Sequence, residues 1–131
     1  MIDDDIDDQE IFILALQQIS SRFKCVAAND GYEGLKRLRD PSHELPDFIF
    51  LDLNMPRMNG RECLTEIKKD PHLRDIPVII FSTSSLQDDI IQTRKLGAAA
   101  FITKPSSIDQ LSQKLLEVLQ AYRVNLVINT P

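Results

Sequence analysis

The residues best suited to chemistry in this sequence stand at the ends of short apolar runs. The set combines three carboxylates, a hydroxyl and an ammonium group, supplied by Asp3, Asp4, Asp52, Ser82 and Lys104. If the runs are parallel strands, the residues that follow them meet at one edge of a sheet. Three carboxylates at short range repel one another unless a cation joins them, and an all-oxygen site with few protein ligands is typical of Mg²⁺.

Such a set can perform phosphoryl transfer. With a metal ion neutralising the acids, one of them can act as a nucleophile toward a phosphoryl group, while Lys104 and Ser82 bind its equatorial oxygens. Each residue also has a simpler explanation. Asp52 could cap a loop or a helix, Ser82 could cap a strand end, Lys104 could be a solvated lysine, and Asp3 with Asp4 could start a helix.

Strands and helices alternate along the sequence, as in α/β proteins. Runs such as Phe48–Leu51 and Val78–Phe81 are apolar at every position, which predicts strands covered on both faces. We therefore expect a doubly wound, five-stranded parallel sheet with helices on both faces. The predicted strands cover residues 1–2, 23–27, 48–51, 78–81 and 98–102, and the predicted helices lie near 7–21, 32–38, 63–67, 86–96 and 108–122.

Length and composition limit the possible functions. The 131 residues suffice for one domain, with 43% apolar and 27% charged residues. The net charge of −5 disfavours a direct nucleic-acid partner, and no apolar run reaches the roughly 18 residues of a membrane span. Asp5, Asp7 and Asp8 are expected to form a solvated helix start. Cys25 and Cys63 lack metal-site spacing, so we expect reduced thiols and a cytoplasmic protein.

The ordered set of strand-end residues resembles the receiver domain of two-component response regulators, over essentially the whole chain. That family has an acidic pair after strand 1, a phosphoacceptor aspartate after strand 3, Ser or Thr after strand 4 and Lys-Pro after strand 5. Here these are Asp3-Asp4, Asp52, Ser82 and Lys104-Pro105, with spacings of 30 residues from Asp52 to Ser82 and 22 from Ser82 to Lys104. The resemblance implies a flavodoxin-like fold with strand order 2-1-3-4-5.

The resemblance also implies roles for individual residues. Asp52 would accept a phosphoryl group from the phosphohistidine of a histidine kinase, and self-catalysed hydrolysis would follow. Asp4, Asp52 and the backbone carbonyl of Asn54 would hold Mg²⁺, with Asp3 contributing through water. Lys104 would pair with the phosphoryl group and form a cis peptide bond with the proline that follows it.

Two further residues resemble the switch of that family. Phosphate on Asp52 would draw in the Ser82 hydroxyl, the vacated space would admit Phe101, and the surface formed by helix 4, strand 5 and helix 5 would change its partners. Phe101 could equally be a permanent core residue. Thr83 stands where the family usually has Ala or Gly, which could narrow access to the phosphate. The segment Asp70–Leu73 and the hydroxyl-rich loop after Ser82 resemble stand-alone receivers paired with phytochrome-type histidine kinases.

The two ends of the chain depart from the family pattern. Met1 and Ile2 alone precede the acidic pair, so we expect strand 1 to be truncated. We expect a receiver domain over residues 1–122 and a tail over 123–131, without an output domain. The strand-like segment 124–128 is expected either to enter the sheet or to pack outside it and help form a homodimer.

Three other functions are weighed against this one. A phosphatase of the haloacid dehalogenase type typically carries a second aspartate two residues after its nucleophile, where this chain has Asn54. A flavodoxin-like flavin protein needs phosphate-cradling hydroxyl groups after strand 1, which this sequence does not offer convincingly. A degenerate receiver would act only as a protein-binding module, and it is disfavoured because all five family positions are filled. We therefore predict a non-enzymatic, single-domain response regulator.

Overall fold

The computed structural model describes residues 1–122, and this part of the chain contains five helices and three strands. The tail 123–131 lies outside the described residues, so its predicted strand or dimer contact stays a prediction. No helix in the described range is both long and apolar enough to cross a membrane. The elements are α1 (Ile6–Ile19), α2 (Gly31–Arg39), β1 (Ile49–Leu51), α3 (Gly60–Lys69), β2 (Val78–Ser82), α4 (Gln87–Lys95), β3 (Ala100–Thr103) and α5 (Ile108–Tyr122).

The strands form a parallel sheet in the order β1-β2-β3, with Ile49 opposite Val78. Ile2 extends this sheet, since it forms parallel bridges to both Leu51 and Ala28. The segment ending at Ala28, the segment around Ile2 and the three strands therefore lie side by side. This arrangement confirms the predicted flavodoxin-like order 2-1-3-4-5.

In the described residues the first strand is short, and its pairing centres on Ile2. The Ile2 N–H donates to the Phe50 carbonyl at 2.8 Å, and the Ile2 carbonyl accepts from the Asp52 N–H at 2.9 Å. The second predicted strand, 23–27, lies along this first segment. The Met1 ammonium group donates to the Val26 carbonyl at 2.8 Å, and the Ala28 N–H, just beyond the predicted range, donates to the Met1 carbonyl at 2.8 Å.

Apolar residues of the sheet alternate between two layers of helices. Leu51 and Ile80 belong to one buried cluster with Leu64 of α3. Phe50 belongs to the other cluster, which also takes in α5, and its ring lies 4.8 Å from the ring of Phe12 in α1. Each of these buried side chains contributes about 1.5–3 kcal/mol to folding. The predicted placement of helices on both faces is confirmed.

Polar side chains cap the first three helices. Asp5 accepts from the N–H of the third residue of α1, and Asp30 does the same for α2. Asn59 caps α3 reciprocally with Glu62 in a capping box. Because each cap is worth about 1 kcal/mol, these residues fix where the helices begin at the functional edge of the sheet.

Gly60 begins α3 at a point where the helix touches the backbone that carries Asp52. A Cβ atom at Gly60 would overlap the Asp52 carbonyl oxygen and lie 2.7 Å from the Leu53 Cα. Backbone atoms cannot rotate away as a side chain can. We expect Gly60→Ala to lower the free energy of unfolding by about 1–3 kcal/mol, as measured by urea denaturation.

Gly31→Ala is the matched control for this substitution. Gly31 also opens a helix, but a Cβ there would meet the Met58 side chain, at 2.9 Å. Met58 has rotatable bonds and can move aside, so the loss of stability should be smaller. Equal losses for the two variants would contradict the role assigned to the Gly60 contact.

Candidate functional site

Three carboxylates meet at the carboxyl end of the sheet. Ladder hydrogen bonds fix two of their backbones: the Asp3 N–H donates to the Ala28 carbonyl at 3.0 Å, and the Asp52 N–H donates to the Ile2 carbonyl at 2.9 Å. Carboxylate oxygens of Asp3, Asp4 and Asp52 all lie within 4.8 Å of one another. Asp3 and Asp52 are buried, whereas Asp4 is exposed. The structure thus brings together the three acids that the sequence singled out.

The ammonium group of Lys104 lies against this cluster. Its Nζ is 2.9 Å from Asp3 Oδ2 and 3.6 Å from Asp52 Oδ1. Its shortest carboxylate contact is with Asp8 in the first turn of α1, where Nζ lies 2.6 Å from Oδ2. The Lys104 N–H donates to the Ser82 carbonyl at 2.7 Å, which fixes the start of this side chain beside the end of β2.

Burial and charge determine how these groups ionise. Burial, followed by the charge of Asp3, raises the pKa of Asp52 to about 6, although the charge of Lys104 opposes this shift. Burial also raises the pKa of Asp3. For Lys104, burial acts to lower the pKa, but hydrogen bonds with Asp8 and Asp3 outweigh burial and raise it. Lys104 therefore stays protonated, while Asp3 and Asp52 are costly to ionise together.

The donor set fits a hard divalent cation. Asp3, Asp4 and Asp52 each offer an oxygen ligand, which is what Mg²⁺ and similar ions prefer. Burial is the main cause of the raised pKa of Asp52, and a cation here would offset the repulsion from Asp3 that adds to it. Asn54, whose carbonyl is the other predicted ligand, lies exposed two residues beyond Asp52, and its role stays a prediction.

The fifth site residue, Ser82, is fully buried at the end of β2. Its Oγ accepts from the Ser84 N–H at 3.2 Å. The Ser84 carbonyl in turn accepts from Thr103 Oγ1 at 3.0 Å, and the Ser84 hydroxyl donates to Asp89 in α4. Asp89 also forms an ion pair with Arg61 of α3. The loop after β2 therefore connects Ser82 with α4 and α3 by direct contacts.

The remaining predicted features have mixed outcomes. Phe101 lies on β3 opposite Ile80, half-buried against the cluster that contains Leu64, and its role as a switch stays a prediction. Thr83 is exposed in the loop after β2. The predicted cis peptide bond after Lys104 is wrong, since every peptide bond in residues 1–122 is trans.

Sequence reasoning missed two side chains of the site. Asp8 was predicted to be solvated, but it is partly buried against Lys104. Gln9 is buried, and its Nε2 donates to the Asp3 carbonyl at 2.6 Å and to Asn29 Oδ1 at 3.0 Å. In the sequence, one feature indicated that these two residues belong to the site. They fall in the first turn of the helix that follows the acidic pair Asp3-Asp4.

The loop between β1 and α3 is held by Arg57. In the described part of the chain, Arg57 is the one residue other than glycine that has a positive φ, with a value of 64°. Its guanidinium group forms an ion pair with Asp30, and it lies 5.4 Å from the centroid of the Tyr32 ring. These two contacts tie the segment after Asp52 to the start of α2 and stabilise an unfavourable backbone conformation.

Several known proteins resemble this chain in sequence. The sequence matches the family model for the response regulator receiver domain over residues 1–127. Response regulator Rcp1 of Synechocystis sp. is 37% identical over 82 residues, which are 63% of this chain and 55% of Rcp1. The polar-differentiation response regulator DivK of Brucella anthropi is 27% identical over 119 residues, 89% of this chain and 91% of DivK. The match thus spans little more than half of Rcp1.

Solved structures show the same similarity. The crystal structure of the phosphorylated cyanobacterial phytochrome response regulator RcpA has a TM-score of 0.82 and 35% identity, covering 92% of this chain and 89% of RcpA. The Mn²⁺-bound form of Rcp1 has a TM-score of 0.78 and 28% identity, covering 91% of this chain and 88% of that one. A receiver domain from Rhodospirillum rubrum has a TM-score of 0.81 and 28% identity, with coverages of 95% and 92%.

The raised pKa of Asp52 predicts a stability effect in metal-free protein. Because the folded-state pKa is about 6 and the unfolded-state value is 3.8, Asp52 increasingly destabilises the fold as pH rises between those values. Asp52→Asn removes this charge. We expect it to raise the free energy of unfolding at pH 7.5 in EDTA by about 1–3 kcal/mol, with the gain disappearing below about pH 4.

Asp4→Asn is the control for this prediction, since Asp4 belongs to the same cluster but is exposed. It should raise the stability of the metal-free protein by less than Asp52→Asn does. Added Mg²⁺ should stabilise the wild type more than either variant, because each variant lacks one predicted ligand. An Asp52→Asn variant no more stable than the wild type in EDTA would contradict the electrostatic account.

Proposed function

This chain belongs to the response regulator receiver family, and we propose that it accepts a phosphoryl group from the phosphohistidine of a histidine kinase onto Asp52. Receiver domains of this family act in two-component signalling, and the solved relatives include phytochrome response regulators. Phosphorylation would then change which proteins the chain binds. The chain would serve as the receiver of a phosphorelay.

The position of the Asp52 carboxylate supports this proposal more than any other observation. Asp52 ends β1 inside a cluster of acids, with the Lys104 ammonium 3.6 Å from its Oδ1. An oxygen of Asp52 would attack the phosphorus atom, forming a P–O bond as the P–N bond to the donor imidazole breaks. The electron pair of the P–N bond stays on the imidazole, which carries a proton on its other ring nitrogen and therefore leaves as a neutral ring. Lys104 is placed to stabilise the negative charge on the transferred group.

Asp3, Asp4 and Asp52 would hold the metal ion, for which we propose Mg²⁺, and the Asn54 carbonyl would complete the set of protein ligands. A bound Mg²⁺ would supply positive charge to the phosphoryl oxygens and offset the repulsion among the acids. The solved Mn²⁺-bound form of Rcp1 is a precedent from a relative. In this chain, the oxygens of the three acids converge within 4.8 Å, which supports the same kind of ion.

Ser82 and Phe101 would convert phosphorylation into a change of surface. The Ser82 hydroxyl would move toward the phosphoryl group, giving up its contact with the Ser84 N–H. Ser84 contacts Asp89 at the start of α4, so this movement would alter how α4 sits. Phe101 on β3 would take the space that Ser82 leaves. The affected surface is that of α4, β3 and α5.

The expected partners and location follow from this role. The donor would be a histidine kinase, and residues 123–131 would form a tail beyond the receiver domain of 1–122 that could help a homodimer form. Cys25 and Cys63 are free thiols, as in proteins of a reducing cytoplasm. Receiver domains are generally signalling proteins rather than enzymes, and any hydrolysis here would act on the chain's own phosphoryl group.

Intact-mass analysis with acetyl phosphate and Mg²⁺ tests the proposal. We expect the wild type to gain about 80 Da, the mass of one HPO₃ group. The gain should disappear in EDTA and in Asp52→Asn, because the first lacks the metal and the second lacks the nucleophile.

Asp75→Asn is the control variant, since it removes an exposed acid from the loop before β2. It should retain the full mass gain. A folded wild type that gains no mass would overturn phosphoryl acceptance and leave a receiver that acts only by binding proteins. A gain that survives in Asp52→Asn would place the phosphoryl group elsewhere.

A further inference from the structure

The contact between Asp8 and Lys104 has no part in the function proposed above. Lys104 has three N–H donors on its ammonium group. Two are taken by the nearest carboxylates, Asp8 Oδ2 at 2.6 Å and Asp3 Oδ2 at 2.9 Å. Asp52 Oδ1 lies at 3.6 Å, outside hydrogen-bond distance. One donor is therefore left for an acceptor on the Asp52 side of the ammonium group.

The two carboxylates that hold Lys104 differ in what else they do. Asp3 belongs to the cluster of acids that converges within 4.8 Å, whereas Asp8 does not. A cation bound by that cluster would share the charge of Asp3 and weaken its hold on Lys104. Asp8 would then be the carboxylate still committed to the lysine.

Asp8 is also held rigidly. It lies in the first turn of α1, and its N–H donates to Asp5 Oδ1 at 3.2 Å, which is the cap of that helix. The Asp5 N–H in turn donates to Asp3 Oδ1 at 2.9 Å. These hydrogen bonds fix the backbone of the segment from Asp3 to Asp8 beside the site. The Asp8 carboxylate is therefore attached to a well-positioned backbone.

A lysine needs such an anchor if it is to bind one particular anion. Its flexible four-carbon side chain loses rotamer entropy when it is fixed. An ammonium group already held by a second carboxylate loses less of this freedom when an anion arrives. The side chain of Lys104 is 10% exposed and that of Asp8 is 28% exposed, so the pair lies at the rim of the site.

We propose that Asp8 is a positioning residue, which holds Lys104 so that its remaining N–H donor faces a phosphoryl group on Asp52. This inference rests on the function proposed above. Its consequence is specific: loss of Asp8 should weaken binding of the phosphoryl group while leaving the metal site intact. A residue that only supported the fold would affect both.

Beryllofluoride, which mimics a phosphoryl group on aspartate, is the probe for this proposal. Its dissociation constant would be measured with saturating Mg²⁺ by NMR titration of the wild type, Asp8→Asn, Asp8→Glu and Asp7→Asn. Asp7 is the matched control, because it is an exposed acid in the same helical turn and forms no ion pair with Lys104 in the described structure. Asp7→Asn therefore reports the general effect of losing one negative charge.

We expect Asp8→Asn to bind beryllofluoride about fivefold to tenfold more weakly than Asp7→Asn, which is the scale of one ordinary hydrogen bond. The two variants should bind Mg²⁺ equally well, and Asp8→Glu should recover part of the loss. Equal beryllofluoride affinities for Asp8→Asn and Asp7→Asn would overturn the proposal. A parallel fall in Mg²⁺ affinity in Asp8→Asn alone would also overturn it. A wild type that binds Mg²⁺ but not beryllofluoride would instead refute the proposed function.

Discussion

The site depends on an imbalance of charge in a small, largely buried volume. Asp3, Asp8 and Asp52 all lie within 3.6 Å of the Lys104 ammonium group, which can neutralise only one of them. Burial makes the remaining negative charge costly, and the pKa of Asp52 rises to about 6 as a result. The cost that weakens the metal-free fold is also the free energy that a divalent cation can relieve. The affinity of the site for a cation and the raised pKa of Asp52 therefore have the same cause, which is negative charge in a buried volume.

A small number of backbone contacts position the charged groups of the site. Ile2 bridges Leu51 and Ala28, which sets Asp3 beside the end of β1. On the other side of the site, the pairing of β3 with β2 places Lys104 beside Ser82. The long lysine side chain then crosses the sheet edge to reach an acid 101 positions earlier in the chain. The backbones of Asp3, Asp52 and Lys104 are thus positioned by three different strands, and the parallel sheet is what brings them together.

The parts of this structure that follow local rules could be predicted from the sequence. An apolar run that ends in a polar residue is a local pattern, and parallel pairing carries Asp3, Asp52 and Lys104 to one edge. The contact of Asp8 with Lys104 was not predictable, because it depends on how the first turn of α1 is oriented against the sheet. The proposed movements of Ser82 and Phe101 require a second conformation of the protein. Neither the apolar pattern of the sequence nor the pairing of the strands specifies it.

The most direct test of the charge imbalance is a ¹³C NMR titration of the aspartate carboxyl groups in metal-free protein. Asp52 should titrate with a pKa of about 6, above that of an unperturbed aspartate near 3.9. Saturating Mg²⁺ should move its titration to lower pH, because the cation favours the ionised carboxylate. An Asp52 carboxyl group that titrates near pH 4 with and without Mg²⁺ would contradict the account.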